Sequence, residues 1–261
     1  MKNTALITGA SSGIGKALSH IHAENGGDLV VVARREDKLN DLKSSLEESH
    51  SVRVRVIAMD LGDAASPRAI FDMVKAEGIE IDYLINNAGF GGHGQFHERD
   101  WQQDLAMIQL NVVCLTELCR LFLPDFVKRN KGRILNVSST ASLPPGGPFQ
   151  SVYFATKHYV TALSYGIASE LEGSGVTVTA LLPGATESEF AQTSGMDKTD
   201  LFSKTASARS VAEDGYRAML DGKLDVVSGL TASQKLIMAA MPFMPKKLVL
   251  SQVRQMQESG G

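Results

Sequence analysis

Tyr153 and Lys157 stand four residues apart in Tyr153-Phe154-Ala155-Thr156-Lys157, a spacing that sets a phenol and an ammonium on one face of a helix. A free tyrosine, with a pKa near ~10, exchanges protons poorly at neutral pH, and a neighbouring cation lowers that value. The chemistry that suits such a pair is proton transfer to or from an oxygen atom. The lysine is also long enough to reach a ribose hydroxyl. An ordinary surface i,i+4 pair has the same spacing, so the weight falls on the residues around it. Ser139 follows the apolar run Arg133–Val137 and could donate from its hydroxyl to a carbonyl oxygen; Ser138 is its rival. Asn111 lies inside a long helical pattern, where asparagine costs up to ~0.7 kcal/mol on propensity scales. A residue that weakens its own helix is a candidate for function, with a structural hydrogen bond as the alternative.

A second group of residues suits a phosphate. Thr8-Gly9-Ala10-Ser11-Ser12-Gly13-Ile14-Gly15 joins an apolar run to a helical one. Its three glycines fall where a turn needs positive φ and where backbone must approach a ligand closely. The helix that opens there offers unpaired N–H groups and a partial positive charge to a pyrophosphate. A glycine-rich turn without a ligand is the plainer reading, but strand before and helix after are the context that favours a nucleotide. The second apolar run ends in Arg34-Arg35, where a carboxylate would repel a 2′-phosphate and a guanidinium would bind it. The cofactor expected is therefore NADP(H), unless Glu36 and Asp37 leave the arginines merely solvated. Asn86-Asn87-Ala88-Gly89 closes the fourth apolar run, with residues small enough for the chain to pass close to a cofactor.

These residues need a frame that gathers them. Short apolar runs recur, each before a helical pattern: Ala5–Thr8 before 14–25, Leu29–Ala33 before 38–48, Val52–Met59 before 64–77, Tyr83–Ile85 before 101–127, Arg133–Val137 before 152–172, and Val176–Leu182 closing the series. Strands alternating with helices make βαβ units, and continuous apolar strands fit a parallel sheet covered on both faces. The expected fold is α/β, a Rossmann-type doubly wound parallel sheet in three αβα layers, with ligands at the carboxyl ends of the strands. Residues 1–261 read as one dinucleotide-binding and catalytic domain, with a substrate loop about 186–210, a short helix near 211–220 and an apolar tail about 230–258.

Composition narrows the classes. In 261 residues, 26 Lys+Arg against 29 Asp+Glu give a formal charge of -3, which excludes a basic nucleic-acid binder. At 43% hydrophobic the chain is too apolar for a disordered acidic one. Cys114 and Cys119 make no disulfide framework and have no zinc partners, so they read as buried thiols and no metal is expected. The N-terminus enters an apolar strand at once, leaving no room for a signal peptide. The longest apolar run, Leu236–Pro245, holds Pro242 and is shorter than the roughly 18–20 residues of a membrane span. A cytoplasmic protein without an integral membrane segment is expected.

Thr8-Gly9-x-x-x-Gly13-Ile14-Gly15, Asn86-Asn87-Ala88-Gly89, Asn111, Ser139, Tyr153-x-x-x-Lys157 and Pro183-Gly184, in that order, together resemble the short-chain dehydrogenase/reductase family, from the start of the chain to about Phe190. The resemblance implies that Tyr153 is the general acid in reduction and the base in oxidation. It implies that Lys157 holds the nicotinamide ribose and lowers the tyrosine's pKa, that Ser139 polarises the carbonyl, and that Asn111 supports a proton-relay water. The loop Gly9, Ser11, Ser12, Gly13, Ile14, Gly15 and the turn Asn87, Ala88, Gly89 would line the cofactor. Asp60 and Leu61 would meet the adenine, and Pro183, Gly184 and Thr186 the carboxamide. Ser188 stands where the family commonly has threonine, Thr186 fills an often apolar slot, and the span from Ser139 to Tyr153 is one residue longer than in many members. A homodimer or homotetramer is the family expectation.

The substrate is not written in these motifs. Phe90, Phe96, Leu143, Phe149, Phe190, Met196 and Phe202 fall in candidate pocket segments and favour an apolar ketone or aldehyde, unless they are simply core. His93 and His97 read as polar loop residues. A 3-oxoacyl-thioester on a carrier would want a basic patch at the mouth, for which Lys128, Arg129, Lys131 and Arg133 are the candidates, against Glu170 and Glu172. A non-catalytic NADPH sensor on the same fold is the reading from another class. The methionine-rich tail 233–257, flanked by Lys235, Lys246, Lys247 and Arg254, reads first as packing on its own domain or a sister subunit. A pocket cap or a membrane-surface segment are the alternatives.

Overall fold

The six buried residues of Asp28–Ala33 and the buried run of Thr4–Thr8 have no polar face to give to water. A strand of that kind is stable only between other strands and beneath helices on both sides. In the computed structural model, which describes residues 2–190, 194–195 and 205–258, they are the inner strands of a seven-stranded sheet of order β3-β2-β1-β4-β5-β6-β7, parallel throughout. The strands are β1 (Thr4–Thr8), β2 (Asp28–Ala33), β3 (Val54–Ala58), β4 (Tyr83–Asn86), β5 (Gly132–Val137), β6 (Val176–Pro183) and β7 (Asp225–Ser228).

One face carries α1 (Gly13–Glu24), α2 (Glu36–Ser49) and α7 (Ala208–Leu220) on a core that includes Leu18, Leu39, Leu46, Val211 and Tyr216. The other carries α3 (Ser66–Ala76), α5 (Leu115–Arg129) and α6 (Ser151–Glu170), with Ile70, Leu118, Phe122, Phe126 and Val160 inside. This is the three-layer, Rossmann-type architecture expected. The chain winds outward from β1 to β3, then returns to lay β4 on the other side of β1. The crevice where the winding reverses opens at the carboxyl ends of the strands.

Two features depart from the sequence reading. The strand series does not close at β6: β7 adds an edge strand of four residues, headed by exposed Asp225 and fully buried only at Ser228. The stretch 101–129 is not one regular helix. α4 (Trp101–Ile108) passes through a six-residue π-helical segment, Gln109–Cys114, before α5 begins. Trp101–Arg129 is long and apolar enough to cross a membrane by length and composition. It lies instead against α3, α6 and the sheet, with Asp104, Asn111, Cys114 and Cys119 buried.

After β7 come α8 (Ala232–Ala240), a 3₁₀ turn (Met241–Phe243) and α9 (Lys246–Gln257). The hairpin packs on α6 through a third cluster that joins Met241, Val249 and Val253 to Met107, Tyr153 and Phe154. The tail is thus built onto its own domain and caps the crevice.

Candidate active site

Strand β1 ends at Thr8 because the glycine loop turns there: Gly9 and Gly13 sit at φ 67° and 53°, which a side chain resists. A Cβ on Gly15 would lie 2.4 Å from both the Asn87 amide and the Gly9 carbonyl, so its glycine is needed for packing. Asn87 closes the loop from the β4 side, donating from Nδ2 to the carbonyls of Thr8 (2.9 Å) and Gly9 (3.2 Å). The Thr8 hydroxyl receives the N–H groups of Asn87 (2.9 Å) and Ala88 (3.0 Å). Ser12 precedes α1 without a side-chain capping bond to the helix, which leaves the first-turn N–H groups of the helix beside the crevice.

One cavity of about 710 Å³ runs along the carboxyl edge of the sheet. Gly9, Ser11, Ser12, Gly13, Ile14, Arg34, Arg35, Asp60, Leu61, Asn87, Ala88, Gly89, Ser139, Tyr153, Lys157, Pro183, Gly184 and Thr186 all line it. Of the catalytic and cofactor candidates, Gly15 and Asn111 do not. Asn111 is 1% exposed and sits in the π-helical segment. Its Oδ1 accepts the Phe90 N–H (3.1 Å), and its Nδ2 donates to the Phe90 carbonyl (2.9 Å) and the Thr156 hydroxyl (3.2 Å). Thr156 in turn donates to the Tyr153 carbonyl at 2.7 Å. The side chain therefore clamps the β4–α4 turn to α6, and the relay role implied by the resemblance finds both its amide ends already engaged.

The two serines separate by what they touch. Ser138 is buried against α6, bonded to the Lys157 carbonyl at 2.9 Å and to Thr161 Oγ1 at 2.7 Å. Both line the cavity, but the Ser139 hydroxyl accepts the Ala141 N–H of the following turn, at 3.1 Å, and it pulls the Tyr153 phenol downward. Tyr153 is packed against Phe154 and Phe190, with ring centres 6.3 and 5.5 Å away. Lys157 Nζ donates to the Val137 carbonyl at 3.0 Å and stands 5.8 Å from the Tyr153 ring centre.

Burial governs both titrations. It pushes the Tyr153 phenol up to about 12 against the downward pull of Ser139, and Lys157 down to about 8. For the phenol, removal from water is the larger influence and Ser139 the smaller one. The linkage has a definite sign. A lysine whose folded pKa lies below its unfolded value is buried at full cost below about pH 8, and stability rises from there toward about 10.5. Integrated, that is about 3 kcal/mol. Lys157→Met should thus be more stable than wild type at pH 7 and should lose the rise in stability between pH 8 and 10, measured by urea unfolding. A wild type whose stability is flat over that window would contradict the assignment.

Arg34 is exposed at the end of β2. Arg35 donates to Ser11 Oγ (3.1 Å) and Glu189 Oε1 (3.0 Å), with Glu189 Oε2 at 2.8 Å. Asp60 engages its own turn, accepting the Gly62 N–H at 2.9 Å. Thr186 bonds the Gly184 carbonyl at 2.9 Å.

Among the proposed pocket residues Phe90 and Phe190 line the cavity; Phe96 stands exposed, and Leu143 and Phe149 do not reach it. Met196 and Phe202 lie outside the described residues. His93 does not face the cavity either: it stacks on Phe149 and meets the Gln257 carbonyl at 2.8 Å, tying α9 to the loop. His97 is exposed beside Glu98. The basic run is turned away from the mouth. Arg129 and Lys131 bond Ile81 and Asp82, and Arg133 bonds Thr177 and Met219, all at the amino end of the sheet. Sequence reasoning missed Glu189, Gln150 and Phe154 on the cavity wall; the methionine content of the tail was the only signal for Met238, Met241 and Met256.

Residues 3–199 match the family model for short chain dehydrogenases. The chain belongs to the short-chain dehydrogenase/reductase family. A very-long-chain 3-oxoacyl-CoA reductase from Mus musculus is 35% identical over 185 residues, 69% of this chain and 58% of that protein, so the chain spans little more than half the length of this relative. A 7beta-hydroxysteroid dehydrogenase from Collinsella aerofaciens is 30% identical over 181 residues, 69% of this chain and 68% of its own length. Among solved structures, a short-chain dehydrogenase from Sphingobium yanoikuyae in complex with NADPH superposes with a TM-score of 0.82, at 31% identity over 98% of both chains. The bulky-bulky ketone specific alcohol dehydrogenase from Comamonas testosteroni gives 0.78 at 30% identity over 93% of both. The crevice of this chain fits a nicotinamide dinucleotide: the glycine turn allows close approach, the first turn of α1 has unengaged N–H donors, and two arginines stand at the end of β2.

Proposed function

We propose that this chain is an NADP(H)-dependent reductase and dehydrogenase that interconverts an apolar ketone or aldehyde and its alcohol. The observation that carries the reading is that Tyr153, Ser139 and Lys157 line the same cavity as the glycine loop, with the phenol and the ammonium both buried. When bound, NADP(H) supplies or accepts the hydride. The glycine loop, the α1 N-terminus and Arg34 and Arg35 would hold its phosphates, with Lys157 near the ribose and Pro183, Gly184 and Thr186 along the nicotinamide end.

The protein's own part is to place an oxygen atom and move a proton. In reduction, the hydroxyls of Ser139 and Tyr153 point at one carbonyl oxygen, where negative charge develops as the carbon is reduced. Tyr153 then gives up its proton, leaving a phenolate that Ser139 and the Lys157 ammonium stabilise until solvent returns the proton. In oxidation the same phenolate removes the proton of the alcohol. Phe90, Phe154, Phe190, Met238, Met241 and Val253 line the rest of the cavity, which suits an apolar body on the substrate and excludes water. A sensor would have no use for a serine, a buried phenol and a buried ammonium lining one cavity at this edge.

A 3-oxoacyl-thioester is the second reading, favoured by the relatives named very-long-chain 3-oxoacyl-CoA reductases and by the apolar wall. Against a carrier-borne thioester stands the basic run, which faces the opposite end of the sheet.

The NADP(H) preference rests on Arg34 and Arg35. Charge-assisted bonds to phosphate contribute roughly 1.5–3 kcal/mol each. The Arg34→Ala, Arg35→Ala double variant should therefore bind NADPH at least tenfold more weakly, with NADH affinity nearly unchanged, by titration calorimetry. An unchanged ratio of the two affinities would overturn the preference.

A further inference from the structure

The hairpin α8–α9 has two unlike sides. Met238, Met241, Val253 and Met256 line the cavity. Away from it, no residue of α8 is buried, and Leu236, Ile237, Phe243 and Leu248 are 73%, 52%, 91% and 48% exposed. Phe243 stands almost wholly in solvent at the turn between the two helices, next to exposed Pro242. A chain this size has a large core available to it, so an open row of large apolar side chains on one short segment marks a contact surface. α8 does not owe its shape to that contact: a capping box of Thr231 and Gln234 starts the helix locally.

Charge identifies the kind of partner. From Gly229 to Gln257 the sequence has Lys235, Lys246, Lys247 and Arg254 and not one aspartate or glutamate, in a chain whose formal charge is -3. The three lysines are exposed and flank the apolar residues on both sides of the turn. A second copy of the chain fits this poorly. A two-fold contact would set the patch against itself, lysine facing lysine, with no carboxylate on the segment to relieve it. A plane that is apolar within and anionic at its face fits both properties.

We propose that the α8–α9 hairpin docks this protein on an anionic phospholipid surface, with Phe243 and Leu236 inserted among the acyl chains and Lys235, Lys246 and Lys247 at the headgroups. Because the other side of the same hairpin walls the cavity, docking sets the cavity beside the lipid, from which an apolar substrate can enter. The docking itself stands independently of the reaction proposed above, and its test needs no turnover.

The test is co-sedimentation of the full chain with vesicles of mixed phosphatidylcholine and phosphatidylglycerol, against vesicles of phosphatidylcholine alone, at low and physiological salt. Wild type should pellet with the anionic vesicles, less so as salt rises, and weakly with the neutral ones. At ~1 kcal/mol per lysine near an anionic surface, Lys246→Glu with Lys247→Glu should weaken binding at least about 25-fold. Phe243→Ser should weaken it about tenfold, the loss expected for withdrawing one large apolar side chain. Both variants change exposed positions and should keep the wild-type melting temperature. Wild type remaining in the supernatant, or both variants pelleting as wild type does, would overturn the proposal. So would light scattering, without vesicles, that shows a dimer of the wild type abolished by Phe243→Ser, since the partner would then be a second copy.

Discussion

Tyr153→Phe should lower kcat for carbonyl reduction by about 10²–10⁴-fold, the range a positioned general acid supplies, while leaving NADPH affinity and fold nearly unchanged. The substitution is clean because the ring is held by packing: Phe154 and Phe190 flank it, and phenylalanine keeps both contacts. Only the hydroxyl is lost, at the cavity that Ser139 also lines. Stability should move by no more than about 1 kcal/mol, the net worth of a typical hydrogen bond. Steady-state kinetics with calorimetric NADPH binding checks both halves. Full turnover in the variant would mean that the proton comes from another donor, and Tyr153 would be left as part of the wall.

Asn111→Ala has the second largest expected effect, and it shows first in stability. The substitution leaves the Phe90 N–H, the Phe90 carbonyl and the Thr156 hydroxyl without the partners they have now. Each unsatisfied buried group costs about 1–3 kcal/mol, so a loss of about 3 kcal/mol or more is expected in urea unfolding. A fall in kcat should accompany it, because Thr156 links the clamp to the Tyr153 backbone and Phe90 lines the cavity. A residue serving only a water relay would lower kcat and leave unfolding untouched. Asn111→Asp keeps an acceptor for the Phe90 N–H but no donor, and should fall between the two.

Most of the frame was legible because the inner strands are continuous apolar runs, which nothing but a doubly covered parallel sheet accommodates. β7 was not. Four residues with an aspartate at the head and a single fully buried position carry too little pattern to separate from a loop. At Asn111 the weakness of the helix was legible but its form was not: the π-helical segment depends on three hydrogen bonds made to residues 21 and 45 positions away. The same limit hid Glu189, whose partner Arg35 is 154 residues distant. The basic run Lys128–Arg133 misled for a topological reason. It leads into the first residues of β5 and so sits at the amino end of the sheet, while the cofactor candidates and the Ser139, Tyr153 and Lys157 side chains gather at the carboxyl end. The tail reads as apolar all round in sequence, and only its fold divides the cavity-facing methionines from the exposed Leu236 and Phe243.

Burial acts on both groups of the site, which spacing alone does not show. Four residues of separation set Tyr153 and Lys157 on one helical face, but they do not say which group water leaves first. Here both are buried, so the phenol rises and the ammonium falls. A protonated phenol is then the resting form across the neutral range, which suits donation to a carbonyl. Lys157 loses its charge above about pH 8.

The most direct test of the account is transfer of label. NADPH carrying deuterium in place of both hydrogens of the reactive carbon is incubated with the wild type and a panel of apolar ketones and aldehydes, and the alcohols are analysed by mass spectrometry. The account predicts an alcohol with one deuterium on its carbinol carbon. Tight NADPH binding with no label in any product, and no difference between wild type and Tyr153→Phe, would contradict it and leave a nucleotide-binding protein.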